Sequence, residues 1–283
     1  MANTHETAAG TNSLAANGEI ALQRLTDVMD RFAGAMTRVV NAYADARNPQ
    51  RDAHWLALQM TKEFGAMVAY SRKIIDTTRK MEPLKAIRKA CQDCYEEAEH
   101  YVGYRLIFDW YEEGKPYQNP DMWGYGDFGD FAPGPEMKQS LWPEHHGYVA
   151  MAKRLSEETA SPWVRDVIYA NREGAAVAFH HAMTLLPATD EFAKRVIAHE
   201  REVARDELYH GPQLLRELAR TVPSEAEMEE AVAKITELRV QELRQRNEQF
   251  LHPLDPAAMA HLESDFRAMR SECVPIFSAM PRN

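Results

Sequence analysis

The placement of helix breakers constrains this chain more than any other feature. Gly and Pro number 13 and 15 in 283 residues, and eleven of them crowd between Gly114 and Gly147. Outside that stretch they are few and far apart, so long segments carry nothing that would end a helix. Apolar residues recur there at helical spacing, as with Ile20, Leu25, Val28, Met29, Phe32, Met36, Val39 and Val40. Alternation of the strand type is almost absent. The pattern predicts an all-α chain with helices over 19–47, 51–80, 82–113, 162–187, 190–220 and 224–250, and a short one near 148–158. Pro83 falls in the first turn of the third helix, where its missing N–H costs little. Ser161-Pro162 opens the fourth, and Ser224 with Glu227 forms a capping box for the sixth. The fifth either stops near Gly211-Pro212 or bends there and continues to Arg220. Residues 1–18 are polar and small and are expected to be a flexible tail before a single domain, 19–283.

Composition removes several classes. A formal charge of −10 argues against a phosphate backbone as the main partner. No apolar run approaches the ~18 residues of a membrane span. Residues 1–18 lack the basic and apolar regions of a secretory signal. Three cysteines cannot form a disulfide framework, so a cytoplasmic protein is the expectation. Cys91 and Cys94 have no second pair and read as packing residues.

Connection lengths give the topology. Short turns join the second helix to the third and the fourth to the fifth, which makes each pair an antiparallel hairpin. The long segment 114–160 between them can return the chain along a bundle. The aromatic run Tyr117–Phe131 inside it is expected to pack on the bundle.

Chemistry is concentrated in two acid-Glu-x-x-His motifs. The third helix carries Glu96-Glu97-Ala98-Glu99-His100 and the fifth Asp206-Glu207-Leu208-Tyr209-His210. Spacing of three puts Glu97 beside His100, and Glu207 beside His210, on one helix face. Chance supplies roughly one bare Glu-x-x-His in such a chain, but only roughly 0.2 with a preceding acid. The partner helices each offer one matching carboxylate, Glu63 among apolar neighbours and Glu173 among Gly174, Ala175, Ala176 and Ala178. Glu63 precedes Glu97 by 34 residues, and Glu173 precedes Glu207 by the same 34. Similar hairpins would bring all six residues to one level. Four buried carboxylates cannot share a core without cations. Two divalent irons, or iron with manganese, balance them, and the two His complete an oxygen-rich donor set. His180, His181 and His199 lie within two turns and are further candidates for contact with the site.

The six residues resemble the ligand set of the ferritin-like di-iron carboxylate oxidases and oxygenases, over about 51–218. The resemblance implies a ferritin-like four-helix bundle with extra N- and C-terminal helices. It also implies that Asp206 orients His100, that Glu96 orients His210, and that the protein activates O2. Hydroxylation, N-oxygenation or desaturation of a small organic substrate would follow, with electrons from a separate reductase or ferredoxin, since no nicotinamide or flavin fingerprint is present. Asp206-Glu207 after Ala204-Arg205, and Tyr104 four residues past His100, resemble ribonucleotide reductase small subunits. The last tyrosine of the chain is Tyr209, however, which leaves no tail tyrosine for a radical relay. Tyr104 is therefore expected to shape the cavity. A ferroxidase or iron store, a tyrosyl-radical generator and a non-catalytic helical binding protein are the alternatives. A second copy of the chain is an admissible partner.

Overall fold

The computed structural model describes the backbone of residues 6–111, 142–221 and 223–279, and all their side chains except those of 6–17, 173, 209–213 and 219. The described residues form eight helices: α1 Glu6–Asp45, α2 Pro49–Arg79, α3 Leu84–Trp110, α4 Pro143–Glu157, α5 Pro162–Thr184, α6 Glu191–Ala219, α7 Glu225–Gln249 and α8 Pro256–Arg267. No strand occurs among them.

Local chemistry sets most boundaries. Asn48, Ser161, Asp190 and Asp255 each accept the backbone N–H three residues on, satisfying an orphan donor at the start of α2, α5, α6 and α8. Ser224 and Glu227 form the expected capping box of α7. Pro83 occupies the N-cap of α3 and not its first turn. Helix α1 begins at Glu6, well before the expected 19, because no proline stops it there although the apolar stripe starts only at Ile20. Of the two possibilities for α6, the helix continues through Gly211-Pro212 to Ala219. Helix α4 begins at Pro143, ahead of the expected 148, so His145 and His146 lie in its first turn. Helix α8 has no counterpart in the periodicity, because the closely spaced Pro253 and Pro256 read as a break. The run Tyr117–Phe131 lies outside the described residues.

Helices α2 and α3 lie against each other, as do α5 and α6, and the two pairs meet where α3 touches α6. Helix α1 packs on α5, α6, α7 and α8, with Leu25, Phe32, Met36 and Val39 fully buried. It is thus part of the core and not an appendage. Helix α4 lies on α7 and α5. No described helix is long and apolar enough to cross a membrane.

Helix α7 departs from ordinary amphipathic design. From Leu238 to Phe250 nearly every residue is buried, though the segment is rich in Arg, Gln and Glu. Many of these polar groups have partners elsewhere in the fold. Arg239 Nη1 donates to the Asn171 carbonyl at 2.9 Å and meets Glu242 at 2.9 Å. Glu248 accepts the backbone N–H groups of Glu144 and His145 at 2.9 and 3.0 Å, closing the start of α4. Gln249 donates to the Trp55 carbonyl at 3.2 Å. Buried polar groups are tolerated on these terms.

The C-terminal segment is pinned to α1. Buried Asp30 accepts the backbone N–H groups of Phe277 and Ser278 at 2.7 and 3.2 Å, and its own carbonyl accepts that of Val274 at 3.0 Å. Gly34, one turn on, lies so close that a Cβ there would overlap the Glu272 carbonyl. Ala in place of an interior helix Gly normally gains about 1 kcal/mol from propensity. Here Gly34→Ala is expected to lose about 1–3 kcal/mol, because it forces backbone apart. Urea unfolding should show a lower midpoint at unchanged slope.

Candidate metal centre

Glu63 stands where α2 leaves the core. Residues 52–61 of α2 are buried on every side, and beyond Glu63 the helix becomes progressively exposed. Glu97 and His100, three apart on α3, face it. Donor atoms of Glu63, Glu97 and His100 all lie within 4.8 Å of one another, and all three side chains are buried. His100 Nδ1 is 3.8 Å from Glu63 Oε2 and 3.7 Å from Glu97 Oε2, while its Nε2 is 3.5 Å from Asp206 Oδ2 on α6. Neither ring nitrogen makes a hydrogen bond. Glu207 is buried and lines the same cavity as Glu63 and Glu97. Two ligands about 2.1 Å from one ion stand roughly 3–3.5 Å apart. The separations of His100 Nδ1 from the two carboxylates exceed that by only a few tenths of an ångström. Buried carboxylates around an imidazole without hydrogen bonds are a donor set that fits a cation.

The same groups perturb one another's titration. Burial would raise Glu63, but His100 and His180 outweigh it and hold that carboxyl well below the usual range. Burial, then the adjacent Glu63 charge, push Glu97 up to about 8 against the pull of His100. Burial opposes charge on His100, yet the two carboxylates hold its imidazole up at about 11. One site therefore forces like charges together and shares protons to relieve them.

The surroundings fix these groups. Gln59, one turn before Glu63, donates its amide N–H to Glu63 Oε1. Its Oε1 accepts from Arg246 Nη1 at 2.8 Å, so the amide orientation is determined. The buried Arg246 guanidinium also donates to Gln249 at 2.8 Å and stacks 3.6 Å over Phe179. One turn beyond His100 on α3, Tyr104 is fully buried and donates to Glu200 Oε1 at 2.8 Å. His180 Nδ1 lies 2.6 Å from Glu200 Oε2. His199 Nε2 donates to the His100 carbonyl at 3.1 Å, and its ring sits edge-on to Tyr104 at 4.4 Å. Gly103 admits that ring, since a Cβ at this position would overlap it.

A cavity of about 190 Å³ opens beside the cluster, lined from α2, α3, α4, α5, α6 and α7. Of the expected site residues, Glu63, Glu97 and Glu207 line it, His100 stands beside the first two, and Asp206 reaches His100. The backbones of Glu173 and His210 lie in α5 and α6, and their side chains are outside the described residues. Glu96 accepts from Gln92 Nε2 at 2.8 Å. Tyr104 bonds Glu200 and does not line the cavity, whereas His180 and Ala176 do. Sequence reasoning missed Gln59, Lys62, Glu200, Glu242 and Arg246. The available signals were weak: Gln59 is one turn before Glu63, and Glu200 two turns before Glu207. No family model, characterised protein or solved structure matches the chain.

The pKa directions set an expected pH profile for metal-free protein. Raised Glu97 and raised His100 contribute stability that is complete below their ordinary values of 4.5 and 6.5 and is lost as pH rises toward about 8 and about 11. Lowered Glu63 contributes stability present above 4.5 and lost as pH falls below it. Thermal midpoints should therefore peak near pH 5–6 and decline toward pH 10. His100→Gln should flatten the alkaline decline, and a midpoint rising from pH 6 to 9 would contradict this account.

Proposed function

We propose that this chain is a ferritin-like di-iron protein that activates O2 to oxidise a small organic substrate. The observation that carries the reading is His100, buried with both ring nitrogens unbonded between Glu63 and Glu97 on one side and Asp206 of the other hairpin on the second. Two hairpins, each a Glu-bearing helix followed by a Glu-x-x-His helix, match the plan of carboxylate-bridged di-metal bundles. Glu63, Glu97, His100, Glu173, Glu207 and His210 would hold the irons. When bound, such a pair supplies O2 reduction with electrons from a separate reductase or ferredoxin.

The chain's own residues have distinct tasks in this reading. Asp206 at Nε2 of His100 favours the proton there and leaves the Nδ1 lone pair for a metal. Gln59, held by Arg246, directs Glu63. Glu200 keeps the Tyr104 hydroxyl and the His180 ring in place beside the cavity. An iron-storage role would call for an acidic route from solvent to the cluster. Lys62 and the exposed Arg172 line the cavity instead, which favours an organic substrate over incoming iron.

Protein produced in iron-supplemented medium is expected to carry about two irons per chain. Elemental analysis should show that Glu97→Ala and His210→Ala each remove most of the metal, since these side chains are the affinity. Full occupancy in both variants would overturn the assignment. Asp206→Asn should retain the fold and weaken iron affinity by about 10–100-fold. Unchanged affinity would deny Asp206 its orienting role.

A further inference from the structure

The cavity is lined by two chemically different sets of side chains. One comprises the carboxylates Glu63, Glu97 and Glu207. The other brings basic side chains from separate helices, Lys62 from α2, Arg172 from α5 and Arg246 from α7, with Tyr148 from α4. Arg246 spends its donors on Gln59 and Gln249, packs on Phe179 and lies 3.7 Å from Glu242. Glu242 is itself 2.9 Å from Arg239, so this carboxylate is already balanced. Tyr148 accepts from Arg239 Nη2 at 3.4 Å. Lys62 and Arg172 are different: among the described residues neither has a hydrogen bond or ion pair, although carboxylates line the same cavity. Basic donors without acceptors on two helices that line one cavity are a place for an anionic group, and the Arg fork in particular suits a carboxylate.

We infer that the cavity binds a small organic carboxylate, with its anionic end on Lys62 and Arg172 and its reacting end toward Glu63, Glu97 and Glu207. The inference deepens the di-iron reading and rests on it for the role of the reacting end. Size follows from the cavity. A void of about 150 Å³ holds benzene, so one of about 190 Å³ accepts a ring or a short chain plus a carboxylate. The position of Lys62 next to Glu63 in sequence sets the scale as well. A carboxylate on Lys62 leaves the rest of a benzoate-sized molecule within reach of the acidic cluster. Arg172, which is exposed, gives the anion its first contact from solvent, and the half-buried Lys62 gives it its last.

The test measures binding of benzoate, its neutral isostere benzamide and inorganic phosphate to the full chain by isothermal titration calorimetry. Iron content is determined on the same samples. Loss of a charge-assisted contact costs about tenfold or more in affinity. Benzoate should bind at least about tenfold more tightly than benzamide and than phosphate. Lys62→Met and Arg172→Gln should each weaken benzoate by about tenfold and leave benzamide nearly unchanged, at unaltered iron content. Arg172 is exposed, so its variant carries the test even if Lys62→Met fails to fold. Equal binding of benzoate and benzamide, phosphate as the tightest ligand, or variants that bind benzoate as well as the parent would each overturn the inference. Iron uptake without that charge discrimination would overturn it and leave the di-iron reading standing. Charge-selective benzoate binding in a protein that takes up no iron would uphold it and remove the di-iron reading.

Discussion

The Arg246 guanidinium is the contact on which the arrangement of this core depends. It is buried, and a buried charge deprived of its partners is strongly destabilising. Gln59 and Gln249 accept from one nitrogen, Glu242 stands near the other, and the Phe179 ring covers one face. Those partners come from α2, α5 and α7, so a single side chain ties together three helices distant in sequence. Through Gln59 it also reaches Glu63, the carboxylate on which the metal cluster is built. Structural pairing and site geometry are therefore one network.

That network explains why α7 breaks the usual rule for a buried helix. Helices enclosed all round are ordinarily apolar all round. The segment from Leu238 to Phe250 is enclosed but polar, and its charges are met partly from elsewhere, by Glu263 for Arg244 and the start of α4 for Glu248, and partly within the helix, by Glu242 for Arg239 and Arg246. Such pairing contributes less net stability than an apolar core of equal size would. It also restricts rearrangement, because moving one helix leaves several charges unmatched at once.

These facts mark what could be read from the sequence. Helical periodicity, capping residues and turn lengths are local, so α2, α3, α5, α6 and the capping box of α7 follow from the chain with small shifts of boundary. Glu63, Glu97 and His100 were legible because equal spacing in the two hairpins implies one level in the bundle. The burial of Glu242 and Arg246 was not legible. A run dense in Arg, Gln and Glu looks like a solvated surface, and only the packing of α7 against α2, α4 and α5 shows otherwise. The same limit hid Glu200, and it misdirected the reading of Tyr104. The register correctly puts that residue one turn beyond His100, but the hydroxyl turns to a buried carboxylate that spacing alone could not supply.

Gly103 and His199 set the gauge between the two halves of the molecule. Where hydrocarbon side chains would hold α3 and α6 apart at an adjustable distance, a flat ring wedged against bare backbone fixes it to the thickness of an imidazole. Both Glu-x-x-His segments are carried on those two helices, so the spacing of their carboxylates is inherited from this one wedge. The two positions are consequently a matched volume. Either can change only if the other compensates, and a sequence that enlarges one alone would separate the two halves of the acidic cluster without touching any residue in it.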